Sequence, residues 1–125
     1  MIKRKPTVLK TEIGNDGHSA ILTLSVDADI SDFSGHFNHF PLLPGVTQID
    51  WAIHYAVTLL HVPAAFKSME VVKFQKPIFP DDLVTLILTW DDKKQKLSYR
   101  YLSQNPGDAE PMALSSGKIK LRSVR

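Results

Sequence analysis

Cysteine is absent from this 125-residue chain, which excludes disulfide bonds, thiolate metal sites and thiol nucleophiles. Long apolar runs are lacking too, because no stretch reaches the roughly 20 residues that a membrane-spanning helix requires. The basic start, Lys3-Arg4-Lys5, is not followed by an apolar segment of signal-peptide length. These features predict a cytoplasmic protein without membrane insertion.

A strong excess of one charge is also missing. The formal net charge is +2, from 15 Lys and Arg against 13 Asp and Glu, which is too small to indicate a nucleic-acid partner. A hydrophobic content of 43% and a charged content of 22% are ordinary for a globular protein. A chain of this length can bury one core but is short for two, so we expect a single domain over residues 1–125.

The chain divides into β-prone runs and one apolar helix. Residues 7–13 and 18–26 flank a turn-rich tetrapeptide, 14–17, and predict a β-hairpin. The acidic, proline-ended segment 27–40 predicts an ordered loop of functional length. Apolar residues cover more than one stripe of the helix predicted over 46–61, so we expect that helix to be buried on most sides. Further strands are predicted at 68–75, 83–90, 96–102 and 112–124.

This order of elements predicts the fold class. A hairpin, a buried helix and consecutive antiparallel strands favour an α+β domain in which one sheet wraps a helix. Because neighbours in sequence usually pair, we expect consecutive strands to lie side by side.

The loop that enters the helix carries the candidate chemistry. It brings His36, the backbone amide of Gly45 and the carboxyl group of Asp50 within fifteen residues of one another. A histidine and a carboxylic acid can exchange protons near neutral pH when their surroundings separate their proton affinities. We expect burial in the apolar helix to keep Asp50 protonated, because the helix dipole fades beyond the first turn. The segment therefore predicts an acid–base enzyme.

The same residues resemble a known family. The hotdog-fold β-hydroxyacyl-carrier-protein dehydratases are similar at Gly35-His36-Phe37, Pro41, Pro44-Gly45-Val46, Asp50 and the segment 72–83. The Gln48-Ile-Asp-Trp-Ala52 variant looks most like their aryl-polyene-type branch. This resemblance covers the chain from about Asp32 to its end.

The resemblance implies a fold, a reaction and a set of roles. The fold would be a hotdog, an antiparallel sheet wrapped around one long helix, and the reaction would be loss of water from a 3-hydroxyacyl thioester. His36 would be the base, Asp50 the acid fourteen positions later, and the Gly45 amide the donor to the thioester carbonyl. A homodimer would set His36 of one subunit against Asp50 of the other. The acyl tunnel would be lined by Phe37, Phe40, Pro44 and Val46.

Three alternatives compete with this interpretation. The segment from Asp32 to Asn38 also resembles 4-hydroxybenzoyl-CoA-thioesterase-like proteins, although two prolines delay the helix here as in the dehydratases. A non-catalytic partner subunit is disfavoured by the presence of both His36 and Asp50. A zinc site formed by these two residues and His39 is disfavoured without cysteine, so we expect neither metal nor cofactor.

The last predicted strand suggests a partner. Its basic side chains alternate with apolar ones, which places the positive charges on one face: Lys118, Lys120 and Arg122. An acyl carrier protein, which is acidic, could dock there. A solvated face that discourages edge aggregation is the alternative, and Lys73 and Lys76 are rival docking residues.

Overall fold

Six strands and one long helix form the computed structural model of this chain, which describes residues 3–33, 41–107 and 109–123. A short 3₁₀ helix at Ser31–Phe33 begins the loop before α1. The elements in chain order are β1 (Thr7–Ile13), β2 (Ser19–Ser25), α1 (Gly45–Leu60), β3 (Ala65–Phe74), β4 (Leu83–Asp91), β5 (Lys96–Ser103) and β6 (Ala113–Arg122).

All six strands belong to one antiparallel sheet with the order β1-β2-β4-β5-β6-β3. One sheet with one helix confirms the predicted α+β hotdog arrangement. The expected pairing of consecutive strands holds for β1–β2 and for β4–β5–β6, but it is wrong for β3. The connection through α1 carries the chain across the sheet, so β3 pairs with β6 at the far edge, and β2 pairs with β4.

Proline and left-handed residues set the ends of these elements. The hairpin between β1 and β2 turns at Gly17, whose φ of 74° favours glycine. The helix begins after Pro44 and ends at Leu60, and its C-cap residue His61 adopts the left-handed conformation with a φ of 56°. No helix in the described ranges is long and apolar enough to cross a membrane.

The core lies between the sheet and one face of α1. Alternate strand residues and the helix face toward them are buried, including Leu86, Leu88, Leu97, Ile119, Trp51, Ala52 and Ala56. The opposite helix face is exposed at every fourth residue, at Val46, Asp50, His54 and Thr58. The remaining helix residues are buried or partly buried, with Ile49, Ile53, Val57 and Leu59 packed against the core, so the expectation of a helix buried on most sides is confirmed apart from this one stripe.

Two hydroxyl groups in the core have different surroundings. Tyr99 and Tyr101 follow each other on the buried face of β5, with ring centroids 5.9 Å apart. The Tyr101 hydroxyl donates a hydrogen bond of 2.7 Å to the backbone carbonyl of Gln48 in α1. The Tyr99 hydroxyl is buried and has no hydrogen-bond partner in the described part of the chain. Burial raises the pKa of Tyr99 to about 12 and that of Tyr101 well above its ordinary value.

Removing each hydroxyl should therefore have a different effect on stability. We expect Tyr101→Phe to lower the free energy of unfolding by about 1 kcal/mol, the usual net value of one hydrogen bond. Tyr99→Phe should leave it unchanged or raise it, because its hydroxyl is desolvated without compensation. Urea unfolding of both variants measures the difference, and equal losses would contradict it.

Candidate active site

The first turn of α1 presents an amide without an internal acceptor. The Pro44 carbonyl accepts hydrogen bonds from the amides of Thr47 and Gln48, at 3.1 and 3.2 Å. The Gly45 amide precedes these and makes no hydrogen bond to any described residue, as is usual for the first amides of a helix. A helix N-terminus favours negative charge, so this amide can stabilise charge on a ligand oxygen.

Phe74, near the end of β3, covers Gly45. A Cβ atom on Gly45 would lie 2.5 Å from Cζ of the Phe74 ring, so a larger residue at position 45 would require the ring or the helix start to shift. A pocket of about 300 Å³ opens beside the two residues. Its walls are formed by Leu42, Leu43, Gly45, Gln48, Phe74, Gln75, Lys76 and Pro77. The helix-start amide therefore lies at a largely apolar recess, as a site for an acyl thioester requires.

The loop before the helix is attached to its first turn. The Thr47 hydroxyl donates a hydrogen bond of 2.6 Å to a carboxylate oxygen of Asp32. Asp32 lies four residues before His36, in the segment that resembles thioesterases as well as dehydratases. The hydrogen bond therefore fixes Asp32, and with it the 3₁₀ helix, to the first turn of α1.

Several predicted site residues lie outside the described residues. His36, Phe37 and Phe40 all fall in the segment 34–40. Pro44 directly precedes α1, and Val46 is 77% exposed and does not line the pocket beside Gly45. The assignment of these residues to the base and the tunnel stays a prediction.

Asp50 lies on the exposed face of α1. Its side chain is 73% exposed, and one carboxylate oxygen lies 3.9 Å from Nζ of Lys5. The expectation that the Asp50 side chain is buried in the apolar helix is therefore wrong for the single chain. Position 50 faces away from the sheet, whereas its neighbour Trp51 is buried against it. Among the described residues, no three histidine, cysteine or acidic side chains are grouped to hold a metal ion.

Strand β6 shows the predicted alternation of charge and burial. Ile119 and Leu121 are buried, whereas Lys118 and Arg122 are exposed and Lys120 is partly exposed. Across the strands, Glu70 of β3 pairs with Lys118 and forms a 2.8 Å ion pair with Lys96 of β5.

An acidic residue and further basic residues lie beside this basic face of β6. The hydrogen bond from Lys96, with weaker contributions from Lys120 and Lys118, lowers the pKa of Glu70. A shallow depression of about 220 Å³ beside Lys118 is lined in part by Lys73 and Arg100. One rival docking residue, Lys73, therefore belongs to the same surface as β6.

Sequence reasoning missed Phe74 and the polar contacts of the helix start. Phe74 lay within the segment that carries the resemblance, but a phenylalanine in a β-prone run is usually a packing residue. The hydrogen bond between Asp32 and Thr47 joins residues fifteen positions apart, and no local pattern indicates it. Only the approach of β3 and the loop to the first turn of α1 brings these groups together.

Two solved structures contain similar chains with the same fold. The dehydratase heterocomplex ApeI:P from Xenorhabdus doucetiae contains a chain that is 42% identical, with a TM-score of 0.79 over 93% of this chain and 96% of that one. An uncharacterized protein from Erwinia carotovora is 40% identical, with a TM-score of 0.83 over 95% and 97%.

Curated relatives match over a shorter part. A 3-hydroxyacyl-[acyl-carrier-protein] dehydratase FabZ from Roseiflexus is 33% identical over 70 residues, which are 50% of this chain and 49% of the relative. The match thus spans about half the length of the curated relatives. The family model of the ApeI dehydratases, ApeI-like, matches residues 12–118, which contain Gly45, Asp50 and the whole of α1. On this match, the chain belongs to the ApeI-like dehydratase family.

Proposed function

We propose that this protein removes water from a 3-hydroxyacyl thioester to give the trans-2-enoyl thioester. The observation that carries the proposal is the Gly45 amide, which has no described acceptor and lies beside an apolar pocket at the start of α1. Membership of the ApeI-like family and the FabZ relatives support the same reaction.

The proposed chemistry divides among three groups. His36 removes a proton from the carbon next to the thioester carbonyl, and Asp50 protonates the departing hydroxyl group, which is otherwise a poor leaving group. The Gly45 amide donates to the thioester oxygen as negative charge develops there. One fixed donor of this kind is worth on the order of 100- to 1000-fold in rate.

A second copy of the chain completes this site in our proposal. The β3 edge exposes four large apolar side chains, Phe66, Met69, Val71 and Phe74, with exposed fractions between 47% and 65%. An edge strand with such a surface is a template for another strand. The exposed side chains of Val46 and Asp50 would also be covered by a partner, and a twofold axis would give both subunits the same contact.

Two variants test the shared site. His36→Ala and Asp50→Asn should each lose most of the turnover, because each removes one of the two proton-transfer groups. A mixture of the inactive chains, after subunit exchange, should recover activity through mixed dimers with one intact site. Enoyl absorbance and free thiol are followed together, so that thioester hydrolysis is detected separately. Release of thiol without enoyl product would instead support a thioesterase, and no recovery after verified exchange would contradict the shared site.

Substitution of Gly45 tests the oxyanion donor. Gly45→Ala should lower turnover by about 10-fold or more, because its methyl group would collide with the Phe74 ring, so that the ring or the amide must shift at the pocket. Gly45→Ala combined with Phe74→Leu removes most of that collision and should recover part of the rate. Phe74→Leu alone is the control. Full activity of Gly45→Ala would exclude a close approach of the ligand to this amide.

We also propose that an acyl carrier protein delivers the substrate to the basic face of β6. Reversal of three charges, at Lys118, Lys120 and Arg122, should raise the KM for carrier-linked substrate and leave a small soluble thioester unaffected. The KM penalty should shrink as salt screens the contact. A control with the same charge change elsewhere, at Lys10, Lys93 and Lys94, should not raise the KM. Equal losses with both substrates would show that β6 serves the fold instead.

A further inference from the structure

Gln48 is a polar residue in the first turn of α1, and its side chain is buried in the core. It is only 3% exposed, yet both ends of its amide group have partners. The Ser115 hydroxyl of β6 donates to Oε1 of Gln48 at 2.6 Å, and Nε2 of Gln48 donates to the Leu43 carbonyl at 3.2 Å. The side chain therefore connects the sheet, the helix and the loop that precedes the helix.

The backbone of Gln48 is held as well. Its carbonyl accepts the hydrogen bond from the hydroxyl of Tyr101, a fully buried residue of β5. Strands β5 and β6 thus hold the same residue at two separate points. A buried network with every member paired makes a core rigid, whereas an apolar side chain of similar volume would fill the space without fixing direction.

The network also holds the residues that directly precede Gly45. Leu43 precedes Pro44 and Gly45, and its carbonyl is the acceptor for Gln48. The Leu43 amide donates in turn to the Ile78 carbonyl at 2.9 Å. Two bonds therefore fix Leu43, and the Pro44 ring restricts the next residue. The Pro44 carbonyl, which shares a peptide group with the Gly45 amide, is held in turn by the backbone amides of Thr47 and Gln48, so Gln48 contributes to the direction of the Gly45 amide from both sides.

We propose that Gln48, together with Ser115, is a positioning residue for the thioester carbonyl. Gln48 acts through the loop: it holds Leu43 so that the Gly45 amide meets the oxygen on which charge develops. Gln48 also lines the pocket beside Gly45, but both ends of its side-chain amide are bonded to protein groups, so the proposed role is positioning rather than proton transfer. This inference rests on the proposed dehydration.

Kinetics of two separate variants test this role. Ser115→Ala removes the donor to Gln48, and Gln48→Met keeps the volume of the side chain but removes both of its hydrogen bonds. Each should lower kcat by about 10- to 100-fold, the effect of a small displacement of a catalytic group, and change KM by no more than about twofold. The double variant should lose little more than Gln48→Met, because both changes break the same network.

A core variant away from the site serves as the control for loss of stability. Ile119→Val leaves a small cavity beneath β6. Its kcat is measured at a temperature at which its free energy of unfolding equals that of Ser115→Ala under the assay conditions. We expect Ile119→Val to keep wild-type kcat. A parallel loss of kcat in this control would show that Gln48 acts only through stability and would overturn the proposal.

The pH dependence of a third variant separates positioning from packing. In Gln48→Glu, a protonated carboxyl group can still donate to the Leu43 carbonyl and accept from Ser115, whereas the carboxylate cannot donate. The ratio of its kcat to that of the wild type should therefore rise as the pH falls, and the ratio for Gln48→Met should stay flat. A flat ratio for both variants at the same reduced kcat would overturn the proposal.

The outcomes also separate this role from the function on which it rests. A wild-type chain that forms no enoyl product overturns both the dehydration and the positioning role. An active wild type with unchanged kcat in Gln48→Met and Ser115→Ala overturns the positioning role alone.

Discussion

The first turn of α1 is held against the sheet by hydrogen bonds from buried side chains, and the candidate site depends on that attachment. Tyr101 and Ser115 fix Gln48, and Gln48 fixes Leu43 on the other side of Pro44. These bonds satisfy buried polar groups of the turn, whereas the Gly45 amide has no acceptor among the described residues. A helix N-terminus that is rigid and yet open is suited to stabilise charge, because no reorganisation is needed when the charge develops.

One face of α1 and the β3 edge of the sheet are left uncovered by the other described residues. The sheet buries one face of α1 and leaves Val46 and Asp50 exposed on the other. Strand β3, which ends at the pocket beside Gly45, exposes apolar side chains along the same edge that would pair with another chain. Catalytic geometry and association are therefore coupled in our proposal, since the residues that need cover lie next to those that form the pocket.

Local patterns were sufficient for the elements and for the α+β class. The predicted hairpin, helix and strands agree with the observed ones to within about three residues at each end, because alternation of apolar residues, glycine turns and prolines act over short distances. The alternation of Lys118 and Ile119 on β6 was correct for the same reason. The hotdog arrangement came from the resemblance carried by the loop and the helix start. The assignment of His36 stays a prediction, because it lies outside the described residues.

The sequence by itself determined where the strands and the helix lie and which residues could carry acid–base chemistry. The tertiary structure decided which distant groups meet: β2 with β4, Phe74 with Gly45, and Ser115 with Gln48. It also decided that Asp50 faces away from the sheet, although the helix around it is apolar. The physical reason is that periodicity fixes the spacing of residues along a face, whereas burial depends on what lies opposite that face, and that partner comes from a remote part of the chain or from another chain.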